Sequence, residues 1–374
     1  MSSFVGNIGD NASHIGFQSI LSRFFPRGFD ITTLELRKSY RNYVLPDRWQ
    51  FDASFAELAN RHDLVVLGGG VLLNFWIPHS ATGTTIDITE RVWDTIRTPV
   101  LVTSVGCVPN VDVPEGNLEK FRRFLDMVHA SRRAIIALRN DGSQQVLAEY
   151  AGADYADRLP VLLDSGFFFD TSDPAYTALP AKYIAVNVSF DQTRARWGPI
   201  QVDIDRYRTE LQRVLSHLVV ETDCDLVFVP HIYTDHKAIA ELLPAFDEFH
   251  IRSRVQFAPC AQGDAGCRSV FAVYKKSALV LGTRFHANVC SLAMDVPTVG
   301  LVALNTVKSV YDSLNLSHRY VRMDRPFADA LMQKAAYTLA HAPDLVSESR
   351  RECDLKRAET IRQYEEIFSA LGVA

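Results

Sequence analysis

The sequence predicts an α/β protein made of two successive doubly wound, Rossmann-like domains, and three observations carry that reading. Short apolar runs of strand type alternate with helix-like segments along most of the chain. Polar or glycine-rich residues stand at the ends of those runs, where an open parallel sheet presents its ligand-binding edge. The alternation breaks at the polar, proline-bearing stretch 170–182 (DTSDPAYTALPAK) and then restarts. A chain of 374 residues is long enough for two such cores. The expected division is a first α/β domain over 1–175, a second over 182–340, and a terminal helix over 345–374 that packs back on the first.

The first half opens on Gly6-Asn7-Ile8-Gly9-Asp10-Asn11, a tight loop that feeds an amphipathic helix over 12–24. A glycine loop before a helix can hold a phosphate or carboxylate on its backbone, which makes Asn7 and Gly9 candidate ligand contacts. It is neither a Walker A nor a GxGxxG sequence, so nucleotide binding does not follow. Asp10 is either the helix N-cap or a base acting on a hydroxyl. Residues 63–74 (DLVVLGGGVLLN) read as a strand running into glycines, where Gly69 and Gly70 let a ligand or a backbone come close. Residues 99–109 repeat the pattern around Gly106. A helix over 118–131, a strand over 133–138 and a helix over 144–151 follow, the last opened by Arg139-Asn140-Asp141-Gly142-Ser143. A strand at 159–163 closes this half.

The second half restarts with a strand over 183–189, whose end offers Asn187 and Ser189 either to substrate or to the strand terminus itself. The loop 190–200 carries Arg194, Arg196 and Trp197, a lid or sugar platform on one reading and plain surface on the other. Helix 207–220 and strand 225–230 lead directly to His231, Tyr233, Asp235 and His236. With no second cluster of ligands nearby, that group reads as polar edge, with His231 a substrate contact or a cleft-lining polar group, and no metal is expected. Helix 237–243, strand 255–258 and helix 269–276 come next. In 277–304 a strand (278–281), the break Gly282-Thr283, a helix (285–294) and another strand (298–301) place Arg284 and His286 at a strand-to-helix junction. An arginine for bidentate grip, a histidine able to move a proton and a helix N-terminus suit an anion. The plain alternative is a surface arginine and a structural histidine. Residues 347–371 read as a charged amphipathic helix with Ser347 as its N-cap.

Composition narrows the function classes. Hydrophobic residues make up 47% and charged residues 22%, and the net charge is −5, which argues against a nucleic-acid partner. An anionic substrate therefore needs local cations. The six cysteines show no CxxC or Cys/His metal spacing; Cys107 and Cys290 sit in apolar runs, and a reducing, cytoplasmic compartment is expected. The first residues lack a signal-peptide pattern. No apolar stretch approaches the roughly 18–20 residues of a membrane span.

Two such halves in succession have the architecture of GT-B-like transferases, with domains facing across a cleft, an analogy of fold only. Taken in order, several motifs resemble the polysaccharide pyruvyl transferase family over about residues 5–320. They are GNIGD (6–10), GGG (68–70), SVG (104–106), the Arg139–Ser143 turn, TRFHA (283–287) with VPTVGL after it, and Lys308 in NTVKSVYDSLNL. The resemblance implies a GT-B enzyme that takes phosphoenolpyruvate and places its pyruvyl group as a ketal on two hydroxyls of a sugar. It implies donor binding mainly by the second domain and acceptor binding mainly by the first. Arg284 and His286 correspond to the family's Arg-Leu-His, with Phe285 in place of leucine. Arg139 and Ser143 match its Arg-Asp-x-x-Ser turn, except that Asn140 stands where aspartate is expected and Asp141 follows one residue later.

The implied chemistry suits these residues. Phosphoenolpyruvate carries a carboxylate and a phosphate, which Arg284, Lys308, Arg139 and a helix N-terminus can hold. Ketal formation begins with protonation of the methylene carbon, for which His286 is the candidate acid or, failing that, the partner of the phosphate. Asp10 is the candidate base on the attacking hydroxyl. The acceptor is a sugar or glycan, free or lipid-linked, for an exopolysaccharide or glycolipid. The setting is the cytoplasm, or the inner face of a membrane. No cofactor is required, and a homo-oligomer is left open. Two alternatives stay open on the residues alone. A nucleotide-sugar glycosyltransferase of the same fold would want a carboxylate after the second domain's glycine turn, where none occurs before Asp295. A non-catalytic glycan- or anion-binding member has the altered Arg139–Ser143 turn as its support.

Overall fold

The computed structural model describes residues 2–36, 50–109, 112–175, 178–191 and 200–373. The chain forms two compact units, Met1–Phe4 with Phe17–Ser165 and Arg357–Ala374, and Val5–Gly16 with Gly166–Lys356. Helix α1 (Ile8–Phe24) contributes to both.

The first unit holds α2 (Ala53–Ala59), β1 (Val65–Gly70), α3 (Glu90–Trp93), β2 (Val100–Val105), α4 (Asn117–Ala130), β3 (Ala134–Arg139), α5 (Ser143–Tyr150), α6 (Ala153–Arg158) and β4 (Val161–Leu162). Its strands form a parallel sheet in the order β1-β2-β3-β4. A single parallel bridge joins Ser2 and Glu35, and Ser2 Oγ donates to the Gly68 carbonyl. The strands read as near-continuous apolar runs, as parallel strands covered on both faces do. Gly68 is required by close approach, because a Cβ there would lie 2.5 Å from the Thr103 carbonyl oxygen on the paired strand.

The second unit holds β5 (Tyr183–Asn187), α7 (Ile204–Glu221), β6 (Asp225–Phe228), α8 (Asp235–Leu242), α9 (Glu248–Arg254), β7 (Val255–Phe257), α10 (Gly263–Lys275), β8 (Leu279–Gly282), α11 (Phe285–Ala293), β9 (Thr298–Val302), α12 (Asn305–Ser313), β10 (Tyr320–Arg322), α13 (Ala328–Ala340) and α14 (Ala342–Leu371). Its six strands are all parallel, in the order β10-β9-β8-β5-β6-β7. The order reverses at β5, so the chain winds one way through β6 and β7 and the other way through β8, β9 and β10. Ile184, Val186, Leu226, Leu281, Val299 and the inner face of α7 (Leu211, Val214, Leu218) share one apolar core.

The last residues of α14 belong to the first unit. There Tyr364 is fully buried with its hydroxyl 2.8 Å from Thr103 Oγ1, and Phe368 packs edge-on against Phe24 and Phe25.

The structure differs from the expected division in three places. Residues 5–16 group with the second unit, and so do 166–175: Phe169 packs on Phe271 and Thr171 bonds the Arg268 carbonyl. Helix α14 begins at Ala342, and Ser347 Oγ bonds the Pro343 carbonyl inside it, so Ser347 is not a cap. Helix α10 begins six residues before the expected start, at Gly263. Arg194, Arg196 and Trp197 lie outside the described residues. Among the described residues no helix is long and apolar enough to cross a membrane.

Candidate active site

Open α/β sheets bind ligands where the strand order reverses, at the carboxyl ends of the strands. In the second unit that place is the pair β5–β8. Asn187 ends β5, and Thr283 and Arg284 follow β8. Asn187 is fully buried; its Oδ1 accepts the Arg284 N–H (2.9 Å) and its Nδ2 donates to the Val229 carbonyl (3.0 Å). Asn187 is thus a tie between β5, β6 and the start of α11. Asn288 braces the same turn from inside α11, donating to the Gly282 and Arg284 carbonyls and accepting from the Tyr311 hydroxyl.

Arg284 occupies the N-cap position of α11 and is 8% exposed. The sequence reading left its guanidinium for an anionic ligand; the structure gives it two protein carboxylates. Nε donates to both oxygens of Asp235 (3.0 and 2.9 Å), and Nη2 donates to Asp235 and to both oxygens of Asp191 (3.1 Å each). Burial works against the charged guanidinium, and the two carboxylates more than reverse it, holding its pKa above the ordinary arginine value. Asp235 is itself fixed, buried at the first turn of α8, where it accepts the His231 and Ile232 N–H groups.

His286, in the first turn of α11, is 5% exposed. The first turn of α1 comes directly against its ring, for a Cβ added to Gly9 would lie 2.6 Å from His286 Nδ1 and 3.0 Å from Cβ and Cγ. The GNIGD stretch groups with the second unit and lies against His286. Asn7 caps that helix, its Oδ1 accepting the Gly9 N–H (3.1 Å). Asp10, 4% exposed, sits inside the helix and accepts from Asn7 Nδ2 (3.2 Å), so the expectation that Asp10 is the cap is corrected in favour of Asn7. Gln262, at the start of α10, accepts the Gly6 N–H and donates to the His231 carbonyl, stitching the loop to the β6 edge.

His231 is completely buried, with Nε2 2.8 Å from the Tyr274 hydroxyl and its ring against Phe271. Burial first, then the neighbouring Arg284 and His286, hold its pKa well below the ordinary imidazole value, so it is neutral. The fully buried His231 ring backs the junction from inside. Lys308, in α12, is paired with Asp312 one turn along its own helix and neighbours Tyr320 and Arg322 at the β10 edge.

The remaining predicted residues belong to the first unit. Arg139 is 3% exposed, with Nε 2.6 Å from Asp141 and Nη1 3.6 Å from Asp164. Asp141 also accepts the Ser143 N–H (3.1 Å) and hydroxyl, and Ser143 Oγ accepts the Cys107 N–H (2.6 Å). Asn140 Oδ1 accepts the Asp164 N–H, and Ser104, in a left-handed backbone conformation (φ 53°), donates to Asp164. The turn thus ties Arg139 and Ser143 into a buried network of protein groups. Gly69 has φ 79°, which favours glycine, and the Gly70 carbonyl accepts the Gly106 N–H. Gly106 admits no side chain without touching Asp141 and Arg139 at 3.0–3.1 Å.

Sequence reasoning missed Asp191, Gln262 and Tyr274. Asp191 had a signal, a carboxylate four residues past the end of β5; the other two had none. Among the described residues no group of three or more His, Cys, Asp and Glu is placed to hold a metal ion.

Residues 7–303 match the family described as polysaccharide pyruvyl transferase. The chain belongs to that family. None of the curated proteins matches the sequence significantly. Among solved structures, a glycosyltransferase from Rickettsia africae is similar at a TM-score of 0.57 and 12% identity, with 99% of this chain and 97% of that one covered. The UDP complex of MnaA from S. aureus is similar at 0.53 and 12%, covering 100% and 97%. UDP-GlcNAc 2-epimerase from Methanocaldococcus jannaschii is similar at 0.52 and 10%, covering 90% and 91%. At such identities the likeness speaks to fold alone, and the fold is GT-B-like.

Proposed function

We propose that the protein transfers the pyruvyl group of phosphoenolpyruvate to two hydroxyls of a sugar in a glycan or glycolipid precursor, releasing phosphate. Family membership supports the transferase class. The observation that carries the assignment to this junction is the approach of Gly9 to His286, which joins two motifs 277 residues apart at the strand-order reversal of the second unit.

In this mechanism the His286 imidazolium protonates the methylene carbon, which makes the adjacent carbon electrophilic. A sugar hydroxyl attacks that carbon and gives up its proton, for which Asp10, next to Gly9, is the assigned base. The carbon–oxygen bond to phosphate breaks, and a second hydroxyl closes the ketal and loses its own proton. Arg284 steadies the donor's negative charge, and the neutral His231 behind it adds no competing charge. The donor is assigned to the second unit, the acceptor to the first, and the setting to the cytoplasm. Thermal shifts with phosphoenolpyruvate and, separately, with UDP-sugars test the reading. Phosphoenolpyruvate raising the melting temperature while UDP-sugars do not is the expected result; the reverse rejects it.

A further inference from the structure

Arg284 is held by two carboxylates of unlike character. The Asp235 side chain is 1% exposed and bonded to the backbone of the β6–α8 turn, whereas the Asp191 side chain is 39% exposed. Asp191 does not use the two-nitrogen fork that makes arginine–carboxylate pairs strong. Both its oxygens approach one nitrogen, Nη2, at 3.1 Å, and Nη1 donates to no described residue. Asp191 is kept there by the Ser189 hydroxyl and, at 3.4 Å, by Thr234 Oγ1. Two carboxylates on one guanidinium leave Arg284 already paired when an anion arrives.

We propose that Asp191 is an internal stand-in for the ligand's anionic group, displaced when a carboxylate or phosphate takes the Nη1–Nη2 fork of Arg284. Asp235 stays in place and keeps the guanidinium aimed. The exchange replaces one ion pair by another, so Asp191 lowers affinity for every anion and selects for ligands that bind bidentately with enough charge to win the exchange. Asp191 is thus a specificity residue that need not touch the reacting atoms. The proposal rests on the reading of this junction as the donor's anion site, and its test separates the two.

Calorimetric titrations of the wild type, Asp191→Asn and Thr234→Ala with phosphoenolpyruvate and with oxalate, a minimal bidentate anion, provide that test. A part-exposed ion pair that must break contributes a factor of roughly two to five. Asp191→Asn is expected to bind both ligands tighter by that factor, with Thr234→Ala about twofold tighter through its weaker hold on Asp191. Equal or weaker binding by Asp191→Asn, with Thr234→Ala unchanged, overturns the stand-in role. Tighter oxalate binding by Asp191→Asn, with no phosphoenolpyruvate bound by any variant, keeps the stand-in role and rejects the pyruvyl donor.

Discussion

Adding one methyl group at Gly9 probes the junction directly. The new Cβ would lie 2.6 Å from His286 Nδ1, about 0.8 Å inside ordinary contact, and 3.0 Å from His286 Cβ and Cγ. Because the clash involves the root of the side chain, rotating the ring does not relieve it, and His286 is 5% exposed with little room to retreat. In an unhindered helix the change to alanine would stabilise by up to about 1 kcal/mol. Overpacking of this kind instead costs roughly 1–3 kcal/mol, so the sign of the stability change is diagnostic. Gly9→Ala is expected to lower the melting temperature and, by moving His286 by something near 1 Å, to lower kcat for phosphate release roughly 100-fold. His286→Ala in the same chain removes the Nδ1 and Cγ contacts, so the double variant should recover more than half of the lost stability. A Gly9→Ala protein as stable and active as the wild type, or a double variant whose losses simply add, would refute the packing of GNIGD on His286.

Further predictions concern the supports of the junction. Asp235→Ala leaves the buried Arg284 with Asp191 alone and should cost roughly 3–5 kcal/mol in urea unfolding. His231 has a folded-state pKa depressed below its unfolded value near 6.5. Its contribution to stability is therefore fully present above about pH 6.5 and is lost as pH falls below it, by at most about 1.4 kcal/mol per unit. The fall in melting temperature between pH 7.5 and 5 should accordingly be smaller in His231→Asn, and an unchanged pH slope would mean the imidazole is not buried neutral. Tyr364→Phe removes the bond to Thr103 and should cost roughly 1 kcal/mol, read as a shifted denaturant midpoint.

The fold was largely readable because parallel strands covered on both faces announce themselves as apolar runs. Tyr183–Asn187 and Leu279–Gly282 stand out in this way, with polar residues at their ends. Helix starts were harder. Gln262 at the start of α10 makes no side-chain cap bond of the kind Asp203 gives α7, and α10 begins earlier than its periodicity suggested. At the site, spacing revealed the Arg284–His286 junction but not its charge balance. The two carboxylates on Arg284 come from 49 and 93 residues away, and local pattern carries no information about such partners. Arg139 shows the converse. Its neutralising Asp141 is only two residues distant, one place later than the family turn has it, and the displaced carboxylate still reaches the guanidinium.

The central claim is that the junction of Arg284, His286 and the GNIGD turn converts phosphoenolpyruvate, and one measurement addresses it most directly. It is phosphate release from phosphoenolpyruvate across a panel of glycan acceptors, compared between the wild type and His286→Ala, with ketal product quantified alongside. The account predicts one phosphate per ketal for the wild type and none above background for His286→Ala. Near-normal release by His286→Ala, or a wild type that consumes UDP-sugars and leaves phosphoenolpyruvate untouched, would contradict it.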